Sequence, residues 1–102
     1  MILVRQIFKA KYGKAGEVAS RMREASSVIS RVLGEDHRWR VMTDLTGPFD
    51  TVVFEIENDS MAEWEKTRST MFQHPEFRQS IAPFMDLLDS GESQLFTIEA
   101  QG

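Results

Sequence analysis

The stretch TDLTGPFDTVVFEIEN, residues 43–58, decides how the rest of the chain is read. Gly47 permits positive φ and Pro48 fixes the φ beside it, so TGPF is a turn. After it, DTVVFEIE runs with period two: Val52, Phe54 and Ile56 share one face, Glu55 and Glu57 the other. Before it, RWRVMTDL (38–45) alternates in the same way, with Trp39, Val41, Thr43 and Leu45 against Arg38, Arg40, Met42 and Asp44. Two such strands around a turn form a hairpin, and its register can be deduced. Aligning the apolar faces sets Trp39 opposite Ile56, Val41 opposite Phe54 and Thr43 opposite Val52. The same register sets Arg40 against Glu55 and Arg38 against Glu57. A slip of one residue would oppose apolar to charged side chains, so apolar and charge patterns specify one pairing.

On the N-terminal side, ILVRQIFKA (2–10) has the β-branched and aromatic content of a strand, with apolar residues on both faces and Arg5 and Gln6 interrupting them. Two-sided burial predicts a central strand. KYGKAG breaks the pattern with two glycines. From Glu17 the period lengthens: Val18, Met22, Ala25, Ile29 and Val32 make one helical stripe, Glu17 and Arg21 pair on its polar side, and Gly34 ends it. The segment EDH is a loop.

On the C-terminal side, SMAE (60–63) has the form of a capping box before a helix carrying Met61, Trp64, Met71 and Phe72. His74-Pro75 interrupts that helix. Pro is tolerated at a first helical position, so a second helix begins there, with Phe77, Ile81, Phe84 and Leu88 as its stripe and Gly91 at its end. SQLFTIEA (93–100) reads as the last strand.

Strand, helix, strand, strand, helix pair, strand is the βαββαβ order of an α+β, ferredoxin-like fold: an antiparallel sheet with helices on one face. The 102 residues form one domain, 1–102, with 41% apolar and 27% charged side chains. The net charge of −4 is spread without a basic block, which speaks against nucleic acid or an anionic membrane as partner. No cysteine is present, so disulfides, thiolate metal sites and a cysteine nucleophile are excluded. Charges within the first apolar run make it neither a signal peptide nor an anchor, and a cytoplasmic location is expected. The sheet face without helices would bear Leu3, Ile7, Met42 and Val53. Such a face asks for a partner, and a two-fold homodimer through the open face is the simplest closed answer.

The length, the element order and the segments KYGKAGEVASRMREA, SMAEWEK and HPEFRQSIAPFMDLL resemble the dimeric α/β-barrel superfamily, nearest to NIPSNAP-like and antibiotic-biosynthesis-monooxygenase-like proteins. The resemblance covers nearly the whole chain. It implies homodimers packed sheet against sheet and a small-molecule pocket between sheet and helices in each subunit. It implies no single activity, since that superfamily spans monooxygenases, haem-degrading enzymes and ligand-sensing domains.

Candidate pocket residues are Gln6, Trp64, Phe72, Phe77 and Phe84. Candidate catalytic residues are His74, Arg40 and Glu55. Each has a simpler structural reading. His74 resembles the functional histidine of some relatives. However, in the haem-degrading members that histidine follows the aromatic of this helix, where RQSI here offers only Ser80 and Ile81. Their strand-one asparagine is also unmatched, with Gln6 nearby. Lying before Pro75, His74 reads more simply as a junction residue. Arg38, Arg40, Glu55 and Glu57 could serve an anionic substrate, with Glu55 as proton acceptor, but opposite charges at this register read first as a cross-strand ladder. Trp39 and Trp64 at their spacings read first as core. His37 and scattered carboxylates show no metal-ligand spacing, Tyr12 alone is a weak pocket signal, and YGKAG lacks the pattern of a phosphate loop. No cofactor or metal is expected. The leading expectation is a binding domain of unassigned function. The alternative is a cofactor-independent monooxygenase acting on a small aromatic or electron-rich substrate.

Overall fold

The computed structural model describes residues 1–33 and 37–102. Seven elements follow in the order β1 (Ile2–Ala10), α1 (Ala15–Leu33), β2 (Trp39–Thr43), β3 (Thr51–Asn58), α2 (Met61–Gln73), α3 (Pro75–Met85) and β4 (Leu88–Thr97). The four strands form one antiparallel sheet in the order β2-β3-β1-β4, with β1 and β3 central. This is the ferredoxin-like arrangement. The predicted ends of α1 at Gly34 and of the following loop at Glu35 and Asp36 lie outside the described residues.

The hairpin has the deduced register, with Trp39 opposite Ile56, Arg40 opposite Glu55, Val41 opposite Phe54 and Thr43 opposite Val52. Arg38 meets Glu57 through the backbone, its carbonyl accepting from the Glu57 N–H at 3.0 Å. No ion pair joins their side chains among the described residues; the Glu57 carboxylate instead accepts from the Gln101 amide at 3.4 Å.

Alternation sends Val4, Val52, Phe54 and Ile56 toward the helices, where α1 meets them with Val18, Met22, Ala25, Val28 and Ile29. Val4, Val18, Val52 and Ile56 are fully buried, each worth roughly 1.5–3 kcal/mol of transfer free energy. The α1 stripe is therefore the core-facing stripe of the sequence pattern. On its polar side Glu17 pairs with Lys14 at 3.9 Å rather than with Arg21.

The start of α1 is held from across the fold. Asp50, at φ 63°, sits in the left-handed region, and its carboxylate accepts from Gly13 N–H at 2.9 Å and Ala15 N–H at 3.2 Å. One residue thereby ends the hairpin turn and caps a helix. At α2, Ser60 accepts from Glu63 N–H at 3.1 Å, half of the capping box. Inside, Thr67 donates to Asn58 Oδ1 at 3.3 Å, tying α2 to the end of β3. His74 closes α2, and Pro75 opens α3 as its first residue.

The third helix ends earlier than its stripe predicts. Asp86 is its C-cap, and Leu88 opens β4 instead of extending α3. Gly91 is not a helix terminator: it lies within β4 opposite Phe8. A Cβ there would stand 3.0 Å from the Phe8 ring, so glycine lets β4 pass that aromatic without displacing it. Pairing with β1 along its whole length outweighs the helical spacing of Leu88. At the other end β4 stops at Thr97, short of the predicted residue 100.

Candidate functional site

Two constellations stand on opposite faces of the sheet. On the face away from the helices, Glu55 is 1% exposed although no helix covers it. Two arginines cover it instead. Arg5 Nε donates to Glu55 Oε2 at 2.7 Å and Arg40 Nε to Oε1 at 2.6 Å, one from each neighbouring strand. Arg5 also lies over the Phe96 ring, 5.5 Å from its centroid. Burial pushes the Glu55 carboxyl up, but the hydrogen bonds and charges of Arg40 and Arg5 outweigh it and hold the group below the usual glutamate range. A carboxylate so held is a poor proton acceptor near neutral pH. The sequence pattern had paired Glu55 with Arg40 alone; Arg5 arrives through the β1–β3 pairing.

On the other face, sheet and helices do not meet everywhere. The helices pack over β1, β2 and β3, while edge strand β4 is mostly exposed. A cavity of about 380 Å³ opens between the sheet and the α1, α2 and α3 layer on that side. That volume lies within the range of ordinary small-molecule sites. Its walls are aromatic and aliphatic. Phe72 and Phe77 meet edge to face at 5.3 Å, Phe8 and Phe84 at 6.0 Å, and Trp64, Met71, Met22 and Ile29 complete the enclosure.

Polar groups in the lining are few: Gln6, Ser26, Arg68 and Ser93. Gln6 comes from the middle of β1, in register between Phe54 and Ser93. It therefore presents an amide at the sheet floor among apolar side chains. Among the described residues that amide makes no hydrogen bond with another group of the protein. Among the described residues, Arg68 is the only ionisable one in the lining.

The structure thus brings Gln6, Trp64, Phe72, Phe77 and Phe84 to one cavity. Trp64 and Phe77 belong to the buried core as well as to the lining. Arg40 and Glu55 lie on the opposite face of the sheet, away from the cavity. His74 is exposed at the α2–α3 junction, without a side-chain capping bond, and is not in the lining. Tyr12 is 89% exposed and also outside it. Trp39 donates from Nε1 to Ser30 Oγ at 3.1 Å and packs at the edge of the core. Among the described residues no three histidine, cysteine or acidic side chains come together as metal ligands, and no helix is long and apolar enough to cross a membrane. Arg68 belongs to no motif of the sequence, yet it follows Trp64 by four residues and precedes Phe72 by four. That spacing puts all three on one helical face.

Fold and site together define an α+β sheet-and-helix domain with a lateral apolar cavity. No family model matches the chain, and no curated protein sequence does. Solved structures do. A NIPSNAP domain protein from Burkholderia xenovorans, itself uncharacterised, superposes with a TM-score of 0.82 at 19% identity, over 95% of this chain and 93% of that one. SnoaB, a cofactor-independent oxygenase from Streptomyces nogalater, gives 0.72 at 16% identity, over 98% of this chain and 94% of that one. An antibiotic-biosynthesis-monooxygenase-like protein from Nitrosomonas europaea gives 0.73 at 9% identity, over 95% and 97%. The chain has the ferredoxin-like fold of these NIPSNAP and monooxygenase-like structures, as its sequence resemblance implied. Identities this low speak for the fold and leave the chemistry to the site.

Proposed function

We propose that this protein is a cytoplasmic homodimer that binds a small, largely apolar molecule in the cavity of each subunit. The observation that carries the reading is the Gln6 amide at the floor of an otherwise aromatic and aliphatic chamber. An amide without a protein partner in such a place is a natural orienting group for a ligand that carries one polar atom. Self-association is supported by the helix-free sheet face. Ile7, Val53 and Met42 stand side by side across three strands, with Leu3 opposite Phe96. The charges there, Arg5, Lys9 and Arg40 against Glu55, Glu57 and Glu92, balance, so a second copy can cover the face without burying excess charge.

A binding role fits better than a catalytic one because, among the described residues, no carboxylate or imidazole lines the cavity to move a proton. The second reading, a cofactor-independent oxygenase for an electron-rich aromatic, is favoured by the likeness to SnoaB and by the aromatic walls. In that case the substrate would have to supply its own acidic group, and oxygen uptake with hydroxylated aromatics would reveal the reaction.

Native mass spectrometry of gently purified protein tests the leading reading. A dimer carrying a discrete extra mass is the expected result. A monomer would overturn the self-association. An empty dimer that also takes up no neutral apolar dye would overturn the binding role.

A further inference from the structure

Among the described residues, Arg68 differs from every other one of the cavity lining in carrying a charge. It is exposed, and so are Phe72, Met85, Ser93 and Leu95 in the same lining, which places these residues at the mouth. Gln6 is only half exposed, and Ser26 is buried. The cavity therefore runs from a cationic, partly aromatic rim to a neutral amide floor.

Three other basic side chains of the helical layer are engaged, while Arg21 and Lys66 are not among the residues that line the cavity. Arg31 pairs with Glu76 at 2.6 Å, Arg78 donates to the Phe72 carbonyl at 3.1 Å, and Arg23 to Ser20 at 3.1 Å. Among the described residues Arg68 makes no ion pair and no side-chain hydrogen bond. A cationic side chain left open beside an apolar chamber is suited to an anionic group, which it can meet with charge-assisted N–H donors.

From this arrangement we infer that the ligand is an amphipathic anion: an aromatic or aliphatic body that fills the chamber, and a carboxylate, sulfonate or phenolate that remains at the mouth on Arg68. The inference rests on the cavity being a binding site, and adds the charge and orientation of its occupant. The ligand enters body first. Its anionic end stays partly hydrated, so little desolvation opposes the pairing.

Two dyes that share one hydrocarbon body separate the two claims. Anilinonaphthalene sulfonate is anionic, and N-phenylnaphthylamine is its neutral counterpart. Fluorescence titrations at low salt compare the wild-type chain with Arg68→Gln, Arg68→Lys and Phe72→Ala, all at exposed positions where folding is spared. The inference expects Arg68→Gln to weaken the sulfonate dye about tenfold and leave the neutral dye within about twofold. Arg68→Lys should restore most of the loss, and added salt should shrink it. Phe72→Ala should weaken both dyes. If Arg68→Gln leaves the sulfonate unaffected, or weakens both dyes alike, the anionic ligand is refuted even where Phe72→Ala shows that the chamber is occupied. If the wild-type chain takes up neither dye, or Phe72→Ala changes neither, the cavity reading itself fails and the inference with it.

Discussion

Glu55 owes its burial to charge rather than to apolar cover. Its carboxylate is shut from water by Arg5 and Arg40, and each uses one nitrogen on one oxygen. Removing the negative charge would leave two guanidinium groups side by side with no counter-ion. Glu55→Gln is expected to cost about 1–3 kcal/mol at neutral pH, the range for a hydrogen bond to a charged group. The pH dependence has a definite sign. The folded carboxyl titrates below its ordinary value of 4.5, so its stabilisation is complete above that value and is lost as pH falls through the lower, folded one. Urea denaturation should therefore show a gap between wild type and Glu55→Gln that is wide near pH 7 and narrows toward about pH 3. A gap that does not change with pH would mean that the pair contributes nothing through ionisation.

At the scale of elements, Asp50 joins the hairpin to the first helix. Its left-handed φ is a conformation that Asn and Asp tolerate better than most residues, and its carboxylate supplies the cap that the glycine-containing loop before α1 lacks. Asp50→Ala should cost about 1–2 kcal/mol, and Asp50→Asn less, because Asn keeps both the backbone preference and an acceptor oxygen. In a domain of this size that corresponds to a fall in melting temperature of roughly 4–8 °C for each kcal/mol. Equal melting temperatures for the two variants would show that the cap is dispensable. The same scale explains β4. Its start reads as helix by spacing, but the mutual pairing of a ten-residue strand with β1, through glycine at Phe8, decides otherwise.

At the scale of the whole molecule, the sheet separates two surfaces of different character. The helical side leaves a lateral chamber because the helices pack over β1, β2 and β3 and leave β4 mostly exposed, and the other side leaves an apolar, charge-balanced plane. Val53 sits between Ile7 and Met42 on that plane. Val53→Lys should leave the subunit folded, since no helix packs there, and should convert a dimer to a monomer by light scattering. A variant that stays dimeric would remove this face from the interface.

Element order, strand alternation and the hairpin register were legible in the sequence; of the aromatic side chains around the cavity, its spacing singles out Trp64, Phe72, Phe77 and Phe84 but not Phe8 or Phe54. Each follows from periodicity over neighbouring residues. The pairing of Val52 with Thr43 and of Glu55 with Arg40 needed only a short turn and two alternating strands. Whatever depended on distant segments was decided by the tertiary structure alone. Arg5 reaches Glu55, 50 residues away, only through the β1–β3 register, and Asp50 caps a helix that begins 35 residues earlier. His74, conspicuous in the sequence, stands away from the chamber, while Arg68, inconspicuous, stands at its mouth. The physical reason is common to all of them. Local spacing determines which face of an element a side chain occupies, but only the packing of elements determines what that face meets.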